Sequence, residues 1–207
     1  MAAKQFEVLV IGGGPAGLSA ALYLARYNRR TALFDTRQGR AHWYQINHNY
    51  LGFPGGVPAR KLCELGRRQL RDYPHVTVYN SRVDDLRADG DTFVAVGEDG
   101  EWQGRAVILC TGVVDHYPQF EDWQDYIGRS MFWCITCDGY ETQGKRVIVV
   151  GNTNAAASEA LQLQRFTDQL TVLTNSHEMH ITPMFQERLR QARIPLIHDC
   201  IKTVRGR

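Results

Sequence analysis

"FEVLVIGGGPAGLSAALYLARYNRRTALFD" (residues 6–35) changes its periodicity twice. Phe6–Ile11 is an apolar run of strand length, and Gly12, Gly14 and Gly17 then give Gly-x-Gly-x-x-Gly. From Pro15 and Ala16 onward, Leu18, Ala21, Leu22 and Ala25 recur at helical spacing. Thr31–Phe34 is a second apolar strand, with Asp35 at its end. Strand, glycine turn, helix, strand and acid in that order predict a βαβ unit that binds a dinucleotide. Gly12 permits the tight turn, Gly14 lets backbone amides approach a pyrophosphate, and Gly17 lets the helix pack close to the strand. The helix N-terminus favours the phosphate charge. Asp35 accepts hydrogen bonds from a ribose 2′-hydroxyl and repels a 2′-phosphate. A plain glycine turn in an α/β sheet is the competing reading, and the motif alone does not separate FAD from NAD.

The same order returns in "KRVIVVGNTNAAASEALQLQRFTDQLTVLTN" (residues 145–175). It predicts a strand over Arg146–Val150, a helix around Ala155–Phe166 and a strand over Leu170–Leu173. Here the glycine positions fall on Gly151, Thr153 and Ala156. Alanine is tolerated at the third. At the second, Thr153 puts a branched side chain where backbone must meet phosphate. The strand end reads Thr174, Asn175, Ser176, with neither an acid for a ribose nor an arginine for a 2′-phosphate. The fold pattern survives and the nucleotide pattern fades.

Between the units, Val83–Leu86 alternates, and Thr92–Val96 with Glu101–Leu109 predicts a hairpin around Asp99-Gly100. Val107–Cys110 reads as an apolar strand ending at Thr111-Gly112, and Val113–Pro118 as a hinge. The 207 residues are 43% hydrophobic and 22% charged, ordinary for a soluble globular chain. A net charge of +2 gives no reason to expect a nucleic-acid partner. No apolar run is long enough for a transmembrane helix. The start lacks the features of a signal peptide, so a cytoplasmic setting is expected.

"FWCITCDGY" (residues 132–140) places Cys134 and Cys137 two residues apart, followed by Asp138 and Gly139. Five cysteines in this length are no disulfide framework. In a reducing compartment the pair reads as redox-active or metal-binding. Zinc needs four ligands; there is one Cys-x-x-Cys, and His177 and His180 lie beyond the second unit's helix and strand, so no metal is expected. Asp138 suits a proton donor or acceptor for thiol chemistry, and equally a turn residue before glycine. Cys63 in a helix, Cys110 at a strand end and Cys200 in a strand-like stretch read as small buried hydrophobes.

The ordered set "GGGPAGLSAALY" (12–23), "NYLGFPGG" (49–56), "CTGVVDHYP" (110–118) and "CITCDG" (134–139), followed by the second βαβ unit, resembles the low-molecular-weight thioredoxin reductases. The resemblance implies an α/β fold of two Rossmann-like, three-layer nucleotide-binding domains. Residues 1–114 would form the FAD-binding domain. Residues 115–207 would form a pyridine-nucleotide-type domain that carries the cysteines and is C-terminally incomplete at Arg207. It implies FAD on Gly12, Gly14, Pro15, Ala16 and Gly17, with Asp35 on the ribose, Asn49 on the flavin side and Thr111-Gly112 along the cofactor. Cys134 and Cys137 would form the redox disulfide, Cys137 the flavin-proximal sulfur and Asp138 the acid. A thioredoxin-like protein or small dithiol would be the partner, and the assembly a homodimer.

Two departures point away from NADPH: the broken second motif at Asn152 and Thr153, and the missing arginines at Asn175 and Ser176. They are similar to pyridine-nucleotide-independent relatives, of which some take electrons from ferredoxin. Others, the diflavin-linked disulfide oxidoreductases, carry a second FAD, for which Trp43, Tyr44 and Trp133 are candidate flanking rings. Dithiol oxidases of the gliotoxin and holomycin type carry His after the second cysteine, where this chain has Asp138. The alternatives are an NADPH-dependent thioredoxin reductase and a non-catalytic flavin- or nucleotide-binding module.

Overall fold

The structure, a computed structural model, describes residues 3–43, 46–118 and 120–205. The expectations for Tyr44 and Arg207 fall outside the described residues. The chain divides into two compact units, one of Met1–Ile46 with Val57–Asp115, the other of Asn47–Gly56 with His116–Arg207.

In the first unit the elements run β1 (Lys4–Ile11), α1 (Pro15–Arg26), β2 (Thr31–Phe34), β3 (Ile46–Asn47, crossing into the second unit), β4 (Val57–Pro58), α2 (Ala59–Leu70), β5 (Val76–Tyr79), β6 (Asp85–Asp89), β7 (Thr92–Gly97) and β8 (Gly100–Leu109). Among the described residues they form a six-stranded sheet in the order β5-β2-β1-β8-β7-β6. β1 runs parallel to β2 and β8, β2 parallel to β5, and β6, β7 and β8 pair antiparallel. Both faces of β1 are covered over Val8–Ile11, so that half of the strand is a continuous apolar run rather than an alternation. Val8 and Val10 pack with Leu33 against Leu18, Ala21 and Ala25 of α1 and Cys63 and Leu70 of α2. Leu9 and Ile11 face the other way, with Ala32, Phe34, Ala95 and Trp102. Small residues on α1 bring the helix close to the sheet, and Phe34 and Trp102 fill the opposite face at 4.9 Å between ring centroids. Val107–Cys110 is not a separate strand. Val107–Leu109 is the end of β8, a strand long enough to pair with β7 near its start and with β1 along the rest.

The second unit contains α3 (Ile135–Asp138), β9 (Val147–Val150), α4 (Asn154–Leu163), β10 (Leu170–Leu173), α5 (Pro183–Gln191) and β11 (Leu196–Ile197). β9, β10 and β11 are parallel, in the order β11-β10-β9. Val149, Leu170 and Val172 pack on Ala156, Ala157, Ala160, Leu163 and Leu189. Cys200 departs from its expected place. β11 ends at Ile197, and Cys200 lies partly exposed in the following loop, where its N–H bonds to the Asp199 carboxylate at 2.8 Å instead of a sheet partner. Cys110, one residue beyond β8, is also only partly buried. Among the described residues no helix is long and apolar enough to cross a membrane.

Candidate functional site

The first glycine turn links β1 to α1. Gly12 has φ +109°, a conformation that costs a side-chain-bearing residue, and a Cβ there would collide with the Cys110 carbonyl. A Cβ on Gly17 would strike the Gly12 carbonyl, and one on Gly13 the Asp35 side chain. Gly14, the N-cap of α1, differs: a Cβ there would meet nothing within 4 Å. Packing explains the glycines at 12, 13 and 17, whereas at 14 only an approaching ligand requires one. The residues present therefore fit a dinucleotide pyrophosphate on the turn. Pro15 opens the helix, Ala16 is exposed, and Thr111 and Gly112 follow β8 beside the turn, where Cys110 N–H donates to the Ile11 carbonyl at 2.7 Å.

Asp35 sits at the end of β2 and is 6% exposed. One carboxylate oxygen accepts the Arg37 N–H at 2.9 Å and the other accepts from Arg67 at 2.7 Å. The neighbouring His42 has its basicity lowered, chiefly by burial and further by Arg67, Arg60 and Arg37, with Asp35 opposing. Beyond Asp35 a cleft of about 340 Å³ is lined by Thr36, Gln38, Asn80, Arg82, Asp84 and Glu98. Arg40 makes a two-pronged ion pair with Asp115 and so fixes the start of the predicted hinge within this unit. Sequence reading missed Arg67 and Arg40, since neither belongs to a motif.

In the second unit Cys134 and Cys137 form a disulfide, with Cα atoms 5.2 Å apart. Cys134 caps a single helical turn, and its carbonyl accepts N–H bonds from Cys137 at 3.0 Å and Asp138 at 2.9 Å. The turn brings the sulfurs together and leaves Asp138 5% exposed. Gly139 completes it, because a Cβ there would press on the Ile135 carbonyl and the Phe166 ring. The Cys134 sulfur lies 3.5 Å from the Thr136 hydroxyl. Asn49, from the segment Asn47–Gly56, donates to the Thr136 carbonyl at 3.2 Å, and His48 lies 4.0 Å from the Glu141 carboxylate. Trp133 stands edge-on to Tyr117 at 5.2 Å, and Tyr117 stacks on Trp123 at 5.0 Å.

The second glycine turn keeps the first turn's shape and changes its surface. Gly151 has φ +159°, and its N–H bonds to the Leu173 carbonyl at 2.9 Å. Thr153, the N-cap of α4, is exposed and makes no side-chain capping bond. The loop after β10 is occupied with itself. Thr174 is 2% exposed and its hydroxyl reaches the Ser176 and Asp199 carbonyls at 3.3 Å each. Asn175 accepts the Ile201 N–H at 2.8 Å, and Ser176 the Glu178 N–H at 3.1 Å. His180 lies 3.0 Å from the Glu178 carboxylate, and His177 lies 4.0 Å from the Cys200 sulfur. Among the described residues no group of three or more His, Cys, Asp or Glu is placed to hold a metal.

The family model of the pyridine nucleotide-disulphide oxidoreductases matches residues 6–204, and the chain belongs to that family. It is 30% identical over 186 residues to the thioredoxin reductase of Peptoclostridium acidaminophilum, covering 88% of this chain and 58% of that protein. It is 30% identical over 200 residues to that of Rickettsia prowazekii, covering 94% of this chain and 64% of that protein. The crystal structure of the thioredoxin reductase from Streptococcus pyogenes superposes with a TM-score of 0.87 at 26% identity, covering all of this chain and 68% of that one. The chain thus spans about three-fifths of the length of these curated relatives.

Proposed function

We propose that this chain is the flavin- and disulfide-bearing part of a thioredoxin reductase-like oxidoreductase that works without NADPH. Residues 1–114 act as the FAD-binding domain and 115–207 as the domain carrying the cysteines, in a cytoplasmic homodimer. Gly12, Gly14, Pro15, Ala16 and Gly17 hold the pyrophosphate of FAD. Asp35 holds the ribose, and Asn49, Thr111 and Gly112 lie along the cofactor. FAD, when bound, supplies two-electron redox chemistry. The observation that carries the reading is the Cys134–Cys137 disulfide closed over one helical turn with Asp138 buried in it.

In the reduced pair the Cys134 thiolate attacks a partner disulfide, forming a mixed disulfide and releasing one partner thiolate. The Cys137 thiolate then attacks the Cys134 sulfur, which restores the Cys134–Cys137 bond and releases the second partner thiolate. The partner gains two electrons and the pair loses two. Asp138 takes the proton that Cys137 gives up, and the Thr136 hydroxyl supports the Cys134 sulfur. Run backwards, the same steps oxidise a dithiol. The partner is a thioredoxin-like protein or small dithiol, with reduced ferredoxin as a candidate electron source.

Independence from NADPH rests on the second turn. Thr153 crowds the phosphate approach, and Thr174, Asn175 and Ser176 bring no positive charge and spend their polar atoms on their own loop. We do not extend the proposal to a second FAD, because Trp133 is engaged with Tyr117. The test is cofactor extraction followed by dithiol addition without air. FAD in the extract and flavin bleaching by a dithiol support the reading; FMN alone, or a flavin indifferent to dithiols, defeats it.

A further inference from the structure

Asp35 and Arg67 form an ion pair with little access to water: their side chains are 7% and 16% exposed, at 2.7 Å. They come from different elements. Asp35 ends β2, whereas Arg67 lies in the last turn of α2, four residues after Cys63, which is 1% exposed and packed into the α1–α2 core. The helix is thereby fixed, and the ion pair with Asp35 holds the guanidinium. Gly13 lies so close that a Cβ there would overlap the Asp35 side chain. The carboxylate is held under the glycine turn, by Arg37 N–H on one oxygen and Arg67 on the other.

A carboxylate offers about four lone-pair sites. Those two bonds use one on each oxygen and leave one on each, the acceptor pattern that suits two neighbouring hydroxyls. We infer that Arg67 is a positioning residue for nucleotide recognition, holding Asp35 in the one arrangement that accepts the vicinal hydroxyls of an adenosine ribose. This inference rests on the dinucleotide reading of the first turn. Its consequence is a preference for ribose over 2′-deoxyribose that depends on a residue 32 positions away in sequence. Asp35 without its arginine still offers acceptors, but they are no longer fixed, and the ribose pays for ordering them.

The test is isothermal titration of the whole chain, stripped of bound flavin, with ADP and with 2′-deoxy-ADP, for wild type, R67M and R67K. Wild type is expected to bind ADP about tenfold or more tightly than the deoxy compound, the effect of one hydrogen bond to a charged group. In R67M the ratio is expected to fall below about threefold, with R67K between, because lysine keeps the charge and loses the planar fork. A purely structural role for Arg67 weakens both ligands alike and leaves the ratio unchanged, which overturns the inference. Should R67M fail to fold, R67K decides alone: a ratio clearly below wild type supports the inference and an unchanged ratio overturns it. A wild type that binds neither compound overturns the dinucleotide reading and this inference with it, whereas one that binds both equally keeps that reading and overturns this inference alone.

Discussion

The two glycine turns share a backbone plan and differ in what they present. Counted from the first glycine, Gly12 matches Gly151, Gly14 matches Thr153, Gly17 matches Ala156 and Asp35 matches Thr174. Gly12 and Gly151 both take positive φ, and each turn leads from a parallel strand into a helix packed on a sheet. Of the positions that packing demands, the first and third stay small in both, as Gly12, Gly17, Gly151 and Ala156, against which a Cβ on Gly151 would press at 2.9 Å; Gly13, which packs on Asp35, is matched by Asn152, where Thr174 stands in place of Asp35. The positions that only a ligand would demand are kept in the first turn alone. Gly14 faces open space and Asp35 is held by Arg67, whereas Thr153 is branched and Thr174 is tied to its own loop. Fold constraints and ligand constraints thus separate residue by residue.

The largest expected effect lies outside both turns and sets the scale for them. Cys134→Ser or Cys137→Ser is expected to lower disulfide exchange by about a thousandfold or more, since the covalent step has no substitute. Cys63→Ser should stay within about twofold of wild type, because Cys63 is buried and burial pushes its thiol up, away from the reactive thiolate. Exchange assays with thiol counting check this, and full activity in either disulfide variant would remove the pair from the mechanism.

The first turn is broken most cleanly at Gly14. Gly14→Val places its Cβ in open space, with no atom beyond the neighbouring residues within 4 Å of it. Melting temperature without cofactor should change little, while FAD affinity falls about a hundredfold or more through loss of the backbone–phosphate approach. A fall in stability with unchanged FAD affinity would mean that Gly14 serves packing.

Rebuilding the second turn inverts the comparison. Thr153→Gly together with Ser176→Arg reopens the backbone and adds one charge-assisted bond of about 1.5–3 kcal/mol. NADPH affinity should rise roughly ten- to hundredfold. Fluorescence titration checks it, and no gain would locate the obstacle elsewhere in the loop.

The smallest effect concerns α4. Glu159 occupies the position that Ala20 holds in α1, and burial raises its carboxyl above the ordinary value of 4.5. A raised folded-state value means that the group favours folding fully below about pH 4.5 and loses that contribution as pH rises through the raised value. Glu159→Gln should therefore raise the melting temperature at pH 7 by about one or two degrees and leave it unchanged near pH 4. Equal shifts at both pH values would place the cause in packing.

Local patterns in the sequence carried both βαβ units, because a strand, a glycine turn and a helix each write their period into neighbouring residues. The Cys-x-x-Cys turn was legible for the same reason. Contacts between distant residues were not. Arg67 reaches Asp35 across 32 positions, Arg40 reaches Asp115 across 75, and Asn49 reaches the Thr136 carbonyl across 87. No spacing rule announces such pairs, since topology alone brings them together. Cys200 was read as lying in a strand-like stretch, but β11 ends at Ile197 and the Cys200 N–H bonds to the Asp199 carboxylate.

On the proposed reading the first turn binds its dinucleotide and the second has lost its own. Its most direct test is an anaerobic titration of the FAD-loaded protein, following flavin absorbance as NADPH and then a dithiol are added. With two charged contacts and the phosphate approach missing, NADPH affinity should lie about a hundredfold to ten-thousandfold below that of an intact site. Micromolar NADPH is therefore expected to leave the flavin oxidised, and the dithiol to bleach it. Rapid bleaching by micromolar NADPH would show a working second site and make this an ordinary NADPH-dependent thioredoxin reductase.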